Sequence, residues 1–163
     1  MKIGISGTPG VGKSSVSKLI GKYFKLKVLN EKEFSLKEGI GEFDVEADEL
    51  VVELEKLEEK LNQLLKKEDN VLIEGHMLCE IEVDFDYLVI IRCHPEILES
   101  RIEAKGYKAE KVQDNVFCEG IEYCKKYAER NYPKEKLIEI ESGISIKETS
   151  NAIIEELEKR ENK

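Results

Sequence analysis

The sequence predicts an α/β fold with a five-stranded parallel sheet flanked by helices, and three observations support this prediction. Five short apolar stretches alternate along the chain with segments of helical periodicity. Two of them, residues 71–74 and 87–91, are apolar without alternation, which is typical of parallel strands covered on both faces. A glycine-rich turn at residues 7–12 follows the first strand and precedes the first helix. The 163 residues fit a single domain.

The first predicted elements are two strands and two helices. Residues 2–6 form the first strand, residues 13–24 the first helix, and residues 26–29 the second strand. The helix has an apolar face made of Val16, Leu19, Ile20 and Tyr23. Asn30, with Glu33 three residues later, is a typical N-cap for a second helix.

A long third helix is predicted from about residue 46 to residue 67. Its leucines fall at positions 50, 54, 57, 61 and 64, so they form one stripe on a helix. Three heptads could form a coiled coil, but a helix packed on its own sheet is the commoner arrangement. We therefore expect this stripe to face the sheet.

The second half of the chain contains the three remaining strands. They are predicted at residues 71–74, 87–91 and 137–140. Pro95 opens a helix to about residue 104, and a further helix follows the Gly-Tyr turn and runs to about residue 131. Ser145 and Glu148 form a capping box for the last helix, whose inward residues are Ile153, Ile154 and Leu157. No repeat or linker interrupts residues 1–163, so one domain is expected.

The composition and charge of the chain limit the cellular location and the binding partners that we expect. No apolar run approaches the ~20 residues of a membrane span, and the first residues lack the apolar core of a signal peptide, so we expect a cytoplasmic protein with no membrane association. Residues 30–59 contain twelve acidic residues and three lysines, so this segment alone carries the net charge of −9. The negative balance disfavours nonspecific binding to nucleic acid. We also expect no direct, sequence-specific nucleic-acid binding.

The four cysteines are interpreted as reduced thiols, because they form no C-x-x-C pair and no secretory signal precedes them. They are Cys79, Cys93, Cys118 and Cys124. A zinc site made of His76, Cys79, Cys93 and His94 is an alternative. The adjacent Cys93 and His94 would be awkward ligands for one tetrahedral ion, so half-buried or buried thiols are preferred.

The turn GTPGVGKS, residues 7–14, matches the phosphate-binding pattern G-x-x-x-x-G-K-[ST] in full, between a strand and a helix. Its glycines allow backbone N–H groups to face phosphate oxygens, and the helix N-terminus adds partial positive charge. Lys13 is predicted to reach the β- and γ-phosphates, and Ser14 to ligate Mg²⁺. A chance glycine-rich turn is the alternative. The motif indicates a nucleoside triphosphate site.

Glu74 ends the strand 71–74 and is a candidate second ligand of Mg²⁺. In P-loop folds a carboxylate at the end of a neighbouring strand holds this ion, commonly as Asp. An exposed strand end is the alternative interpretation. His76, two residues later, could position a water or an acceptor hydroxyl, or it could be purely structural.

Three stretches together resemble the adenylate kinase isoenzyme six family, the archaeal-type adenylate kinases that are also factors of small-ribosomal-subunit maturation. They are GTPGVGKSS, the E-x-H after the third strand, and IRCHPEILESRIEAKGYKAEKVQDNVFCE, of which residues 101–119 are the most specific. The resemblance implies a P-loop NTPase fold of the nucleoside monophosphate (NMP) kinase type. It implies an NMP-binding segment at about residues 30–53 and a lid at about residues 104–114.

The resemblance also implies the function. It implies a broad-specificity NMP kinase that transfers the γ-phosphate of ATP to AMP, with ATPase activity. It implies a role in late maturation of the small subunit, including 3′-end processing of pre-rRNA, through transient contact with ribosomal protein uS11 on the pre-30S or pre-40S particle. A switch-like ATPase with little kinase activity, or a P-loop kinase of another acceptor, remain the alternatives.

Matching positions give the site residues that the resemblance implies. The ATP phosphates would be held by Gly10, Val11, Gly12, Lys13, Ser14 and Ser15. The lid arginine of the family is Lys105 here, which lacks the planar fork of guanidinium. The family's arginine in the acceptor-binding segment falls on Leu36 here, next to Lys37. The acceptor would therefore contact Lys37, together with Asn30. Arg92 and Arg101 would neutralise phosphates, alongside Lys13 and His76 as catalytic residues, or they would form surface ion pairs.

The acidic segment has two interpretations. It suits a basic protein partner such as the tail of uS11, or it is a solvated face that binds nothing.

Overall fold

A five-stranded parallel sheet forms the centre of the protein in the computed structural model, which describes all 163 residues. The strands are β1 (Lys2–Ser6), β2 (Lys27–Asn30), β3 (Gly41–Asp44), β4 (Glu49–Val52), β5 (Val71–Glu74), β6 (Tyr87–Arg92) and β7 (Leu137–Glu141). The helices are α1 (Lys13–Phe24), α2 (Glu31–Lys37), α3 (Leu54–Lys67), α4 (Pro95–Ala104), α5 (Ala109–Gly120), α6 (Tyr123–Asn131) and α7 (Ile146–Glu161). Two 3₁₀ turns span His76–Glu80 and Lys134–Lys136.

The strand order is β2-β5-β1-β6-β7, so β1 is central and its carboxyl end lies beside those of its neighbours. Ile5 pairs with Glu74, and Asn30 pairs with the same residue from the other side. This register brings Asn30 and Glu74 next to the turn that follows β1. The predicted fold class and its five parallel strands are confirmed, with strand ends that differ by one residue at most.

Apolar residues cover both faces of the sheet. Val71 and Ile73 of β5 pack in one core with α3, α6 and the first 3₁₀ turn, whereas Leu72 packs in the other with α1, α4, α5 and α7. β6 alternates in the same way. Burial on both faces is why these strands carry unbroken apolar runs. Removing this apolar area from water is the main stabilising contribution to the fold.

The long helix predicted from about residue 46 was wrong in its first turns. Residues 49–52 form β4, which pairs antiparallel with β3, and α3 begins only at Leu54. Asp44 caps the connecting turn by accepting from the N–H groups of Glu46 and Ala47. The sequence ELVV suits a strand because of its β-branched residues. From Leu57 onward the prediction was correct, with Leu57 and Leu61 fully buried.

Two other helix predictions need correction. The helix expected to reach residue 131 is two helices, α5 and α6, because Glu122 adopts a left-handed conformation (φ 59°) between them. On α1, Val16 and Ile20 are buried as predicted, but Leu19 and Tyr23 are exposed. The buried neighbours of Val16 and Ile20 are Ser17 and Gly21 instead. The caps at Asn30 and Ser145 are confirmed, each accepting from the predicted N–H.

None of the helices combines the length and apolar character needed to cross a lipid bilayer.

Candidate active site

A cleft of about 480 Å³ opens at the carboxyl edge of the sheet. Its floor is the turn between β1 and α1, and one side is the start of α2 together with the end of β5 and the following 3₁₀ turn. The opposite side is the end of α4, the turn to α5 and α5 itself, and the β3–β4 hairpin (residues 41–52) reaches over it. Its volume is in the range of small-molecule sites.

The floor of the cleft is the predicted phosphate-binding loop in an unusual backbone conformation. Gly10 and Gly12 have φ values of 98° and 102°, which side-chain-bearing residues rarely adopt. A Cβ atom on Gly10 would lie 2.3 Å from Ile102 Cγ2, so the loop also packs closely on α4. Val11 anchors the loop in the core instead of facing the cleft, whereas Ser15 lines the cleft.

Lys13 lies inside the loop. Its ammonium group donates to the backbone oxygens of Gly7 (2.8 Å) and Thr8 (3.2 Å), and the side chain lines the cleft. Burial lowers the pKa of Lys13, while Glu74 and Glu31 nearby favour its charged form. The arrangement holds a cation at the position where the motif places triphosphate oxygens.

Ser14, Glu74 and Asn30 form a connected set of oxygen-bearing groups beside Lys13. The Ser14 hydroxyl donates to Glu74 Oε1 at 2.9 Å, and Asn30 Nδ2 donates to the same oxygen at 2.6 Å. Hydroxyl and carboxylate oxygens fit Mg²⁺, which keeps several water and phosphate ligands and needs few from the protein. Bound there with ATP, the ion would neutralise phosphate charge. These residues fit the predicted magnesium site.

A different metal centre has no geometric support. No group of three or more His, Cys, Asp or Glu side chains is arranged to hold a metal ion. The alternative zinc set of His76, Cys79, Cys93 and His94 is therefore not brought together.

Glu31 is a buried acid in the cleft wall that the sequence did not single out. It is 1% exposed, and its two carboxylate oxygens accept from the N–H of Met77 at 3.2 and 3.1 Å. Burial raises the pKa of Glu31 to about 8. Gly75 makes room for it, because a Cβ there would lie 2.3 Å from Glu31 Cβ and 2.4 Å from the carboxyl carbon. This packing is one reason for a glycine between Glu74 and His76.

His76 lies at the cleft wall with its side chain half exposed. Its Nδ1 is 4.0 Å from Glu31 Oε1, too far for a hydrogen bond. Desolvation in the cleft and the charges of Lys13 and Lys111 lower the pKa of His76 to about 4. The imidazole is therefore neutral near pH 7 and has one ring nitrogen that can accept a hydrogen bond.

Arg92 and Arg101 do not line the cleft. Arg92 Nε donates to Glu119 Oε1 at 2.7 Å, and its guanidinium also lies near Glu122 and Glu139. Arg101 donates to Ser142 Oγ at 3.0 Å. The proposed phosphate contacts of both arginines have no support from these positions, and ion pairing accounts for Arg92.

Glu119 connects Arg92 to the phosphate-binding loop. This buried acid accepts from the Thr8 hydroxyl at 2.6 Å through its second oxygen, and from the N–H of Cys93 at 3.1 Å. Arg92 thus acts on the loop only through Glu119. The link joins β6, α5 and the loop into one rigid unit.

The two sides of the cleft carry lysines rather than arginines. Lys105 and Lys111 come from the α4–α5 side, and Lys32 comes from the first turn of α2. Lys37, the predicted acceptor contact, lies at the other end of α2 and does not line the cleft. Lys111 Nζ donates to the backbone oxygen of Asp48 at 3.1 Å, so α5 and the hairpin meet across the opening.

Sequence reasoning missed Glu31, Lys32, Lys111 and the Thr8–Glu119 contact. A signal for Lys111 existed, since it lies one helical turn after Tyr107 within the predicted lid. No sequence signal indicated Glu31, because an acidic residue beside an N-cap is ordinarily exposed.

The fold and cleft together place the protein among the P-loop kinases. Two solved structures share the architecture. The deoxyadenosine kinase from M. mycoides with bound dATP has a TM-score of 0.64 at 15% identity, over 97% of this chain and 100% of that one. The shikimate kinase from Bacteroides thetaiotaomicron has a TM-score of 0.63 at 16% identity, over 96% and 97%. Such identities show the fold alone.

Sequence comparisons identify the family to which the chain belongs within this class. The family model described as AAA domain matches residues 3–122. "Putative adenylate kinase" of Methanocaldococcus jannaschii is 36% identical over 125 residues, which is 76% of this chain and 70% of the relative. The protein of the same name from Thermococcus gammatolerans is 33% identical over 160 residues, 98% of this chain and 86% of the relative. The chain belongs to this archaeal adenylate kinase family.

Proposed function

We propose that the protein is an NMP kinase that transfers the γ-phosphate of Mg·ATP to AMP or another NMP in the cytoplasm. The observation that carries the proposal is one continuous cleft. It has the phosphate-binding loop with Lys13 at its floor, the Asn30–Lys32 segment on one side, and α5 with the β3–β4 hairpin on the opposite side. The names of the archaeal relatives support the same activity.

The chain's own residues would act by position and charge. Lys13 would contact the β- and γ-phosphates, and Ser14 with Glu74 would hold Mg²⁺. Lys105 and Lys111 would add positive charge from the lid side. Phosphoryl transfer to a phosphate requires little covalent help from the protein, so alignment of donor and acceptor is the main contribution. Asn30 would lie where the acceptor enters.

The test is a paired assay of ADP formation and phosphate release from ATP, with and without AMP. We expect AMP to increase ADP formation without increasing phosphate release. Lys13→Ala should abolish turnover in both assays, whereas Lys18→Ala, an exposed lysine of the same helix, should leave both unchanged. Full activity of Lys13→Ala would remove the loop from the mechanism. A screen of other phosphate acceptors tests the alternative that the protein is a kinase of another small molecule.

A second candidate function is ATP hydrolysis with a water near His76. The observation that favours it is charge: no arginine lines the cleft, and the five acids other than the protonated Glu31 still outnumber its four lysines. A dianionic acceptor would meet repulsion that water does not. Phosphate release from ATP alone, unaffected by AMP, would favour this ATPase over the kinase.

We also propose the role implied by the family resemblance, a transient contact with uS11 during maturation of the small ribosomal subunit. The exposed hairpin supports it, because acids alternate there with the exposed side chains of Phe43, Val45 and Val51. A basic segment would find both charge and apolar area on this hairpin.

Binding of uS11 to a hairpin variant tests the contact. The variant Glu42→Gln, Asp44→Asn, Glu46→Gln, Asp48→Asn should lose salt-sensitive affinity for uS11. A control that neutralises four exposed acids elsewhere, Glu103, Glu129, Glu135 and Glu155, should retain it. Equal affinity of both variants would assign the acidic segment to a solvated face.

A further inference from the structure

The four thiols are divided between the two faces of the sheet. Cys79 and Cys124 are buried in the same core, with α3 and α6, whereas Cys93 is buried in the core on the other face. Cys118 lies on α5 and is partly exposed. Cys79 and Cys124 are therefore the two buried thiols that the fold places together.

A shared hydrogen-bond network brings these two thiols to one point. The Ser6 hydroxyl is 3.5 Å from Cys124 Sγ and donates to the backbone oxygen of His76 at 3.3 Å. Cys79 Sγ donates to that same oxygen at 3.3 Å. The Ser6 hydroxyl and the His76 oxygen therefore connect the two sulfur atoms at the carboxyl end of β1.

Cys124 also lines the cleft, together with Lys13 and Gly7. Contact with the Cys79 side chain lowers the pKa of Cys124, burial opposes this shift, and the positive charge of Lys13 supports it. Interaction with Cys124 and burial raise the pKa of Cys79. The two thiols therefore differ: Cys124 lines the cleft and its pKa is lowered, so it ionises more readily, whereas Cys79 does not line the cleft and its pKa is raised.

We propose that Cys124 and Cys79 are a redox-modifiable thiol pair at the wall of the nucleotide cleft, closed to a disulfide by hydrogen peroxide. The Cys124 thiolate attacks one peroxide oxygen, which breaks the O–O bond, forms a sulfenic acid and releases water once the leaving oxygen is protonated. Cys79 then loses its proton and attacks the Cys124 sulfur. An S–S bond forms, the S–O bond breaks, a second water leaves, and the peroxide has gained two electrons.

Closing the disulfide changes the site. Cys79 belongs to the 3₁₀ turn that begins at His76, and it would lose its hydrogen bond to the His76 oxygen. Cys124 would be drawn from Ser6 toward that turn. The oxidised protein would therefore hold His76 and the wall beside Lys13 in a different arrangement, with reduced nucleotide turnover.

The first test treats the intact protein with hydrogen peroxide and counts free thiols. We expect the loss of two thiols and a peptide map that links residue 79 to residue 124, reversed by a dithiol reductant. Cys93→Ser and Cys118→Ser should still lose two thiols. Absence of that linkage, or a disulfide that contains Cys118, would overturn the proposal.

Two substitutions separate the roles. Cys79→Ser keeps a donor for the His76 oxygen, so its Cys124 should stop at sulfenic acid, which dimedone traps. Cys124→Ser should show no dimedone adduct at position 79. Equal trapping at either cysteine would contradict the assignment of Cys124 as the reacting thiol.

The second test measures alkylation of Cys124 by iodoacetamide in the wild-type protein and needs no variant to fold. Saturating ATP should slow alkylation about tenfold or more, because bound ligand covers the cleft. Unchanged alkylation would show that the thiol does not open to the cleft. Neither test depends on turnover, so the proposal can fail while the kinase assignment stands.

Discussion

Glu31 is the residue whose surroundings depart furthest from its chemical preference. It is an acid with 1% of its surface exposed, and its two carboxylate oxygens share one backbone N–H donor, that of Met77. Burial disfavours its charged form, and the nearby Glu74 adds repulsion. The raised pKa makes protonated Glu31 the form that the fold stabilises.

This predicts a pH dependence of stability. The pKa of Glu31 is about 8 in the folded protein against an ordinary value of 4.5. Between these values the folded state keeps a proton that the unfolded chain has lost, so the free energy of unfolding falls as pH rises, and it levels off above pH 8. Below pH 4.5 the contribution is fully present.

Glu31→Gln should remove this slope, an effect on the order of a few kcal/mol. Urea denaturation of both proteins at pH 5 and pH 8.5 measures the difference. The lowered pKa of His76 produces a slope of opposite sign at acidic pH, but it is common to both proteins and cancels in the comparison. Parallel stability curves would show that Glu31 is ionised in the folded state.

His76 gives a second prediction at this scale. Because its imidazole is neutral near pH 7 and reaches the cleft, His76→Ala should lower ATP hydrolysis more than ATP affinity, by about tenfold or more. His94→Ala is the matched control, since His94 caps α4 outside the cleft. Hydrolysis unchanged in His76→Ala would assign His76 to structure.

The sequence predicted the residues of the site only where they lie close together within one motif. Gly10, Lys13 and Ser14 lie within eight residues, and their spacing was enough. The partners of Glu31 and Arg92, by contrast, are 46 and 27 residues away along the chain. Such contacts depend on how elements pack, which no local pattern encodes.

At the scale of elements, the β3–β4 hairpin shows how one pattern can hide another. Leu50 falls in step with the leucines of α3, so helical periodicity extended the helix over a strand. Asp48, in a left-handed conformation (φ 51°), and the Asp44 cap set the turn instead. Strand propensity and turn chemistry decided the conformation there, because tertiary pairing with β3 was available.

The junction of β5 with the following 3₁₀ turn gives a prediction about packing. The backbone of Gly75 is extended, so Gly75→Ala adds no backbone strain, but its Cβ would meet Glu31 at 2.3 Å. Displacing Glu31 should lower stability by about 1–3 kcal/mol. Gly120→Ala is the control, because a Cβ there meets no atom within 4 Å, and it should be neutral or slightly stabilising. Equal melting temperatures for both variants would contradict this.

At the scale of the whole molecule, the alternation of strands and helices along the sequence predicts the parallel sheet. It does not predict how the cleft is closed. The cleft is enclosed by α2, the hairpin and α5, and α5 is far along the chain from the other two. The contact that joins two of them is the bond from Lys111 to the Asp48 oxygen. Because this hydrogen bond is accepted by a backbone oxygen, the residue type at position 48 does not indicate the contact.

Removing this contact should loosen the hairpin without unfolding the sheet. One hydrogen bond from a charged donor contributes about 1.5–3 kcal/mol at most, and less at an exposed site. Lys111→Ala should therefore speed amide hydrogen exchange in residues 41–52 and raise the KM for the acceptor severalfold, while exchange in β1 and β5 stays unchanged.

Two controls separate closure from simple loss of charge. Lys108→Ala removes a neighbouring lysine that does not line the cleft, and Asp48→Asn keeps both the backbone oxygen and a residue type that tolerates the left-handed conformation. Both should exchange like the wild type. If Lys111→Ala raises KM but leaves hairpin exchange unchanged, Lys111 acts by direct contact with the ligand and the hairpin is held by its packing against α2.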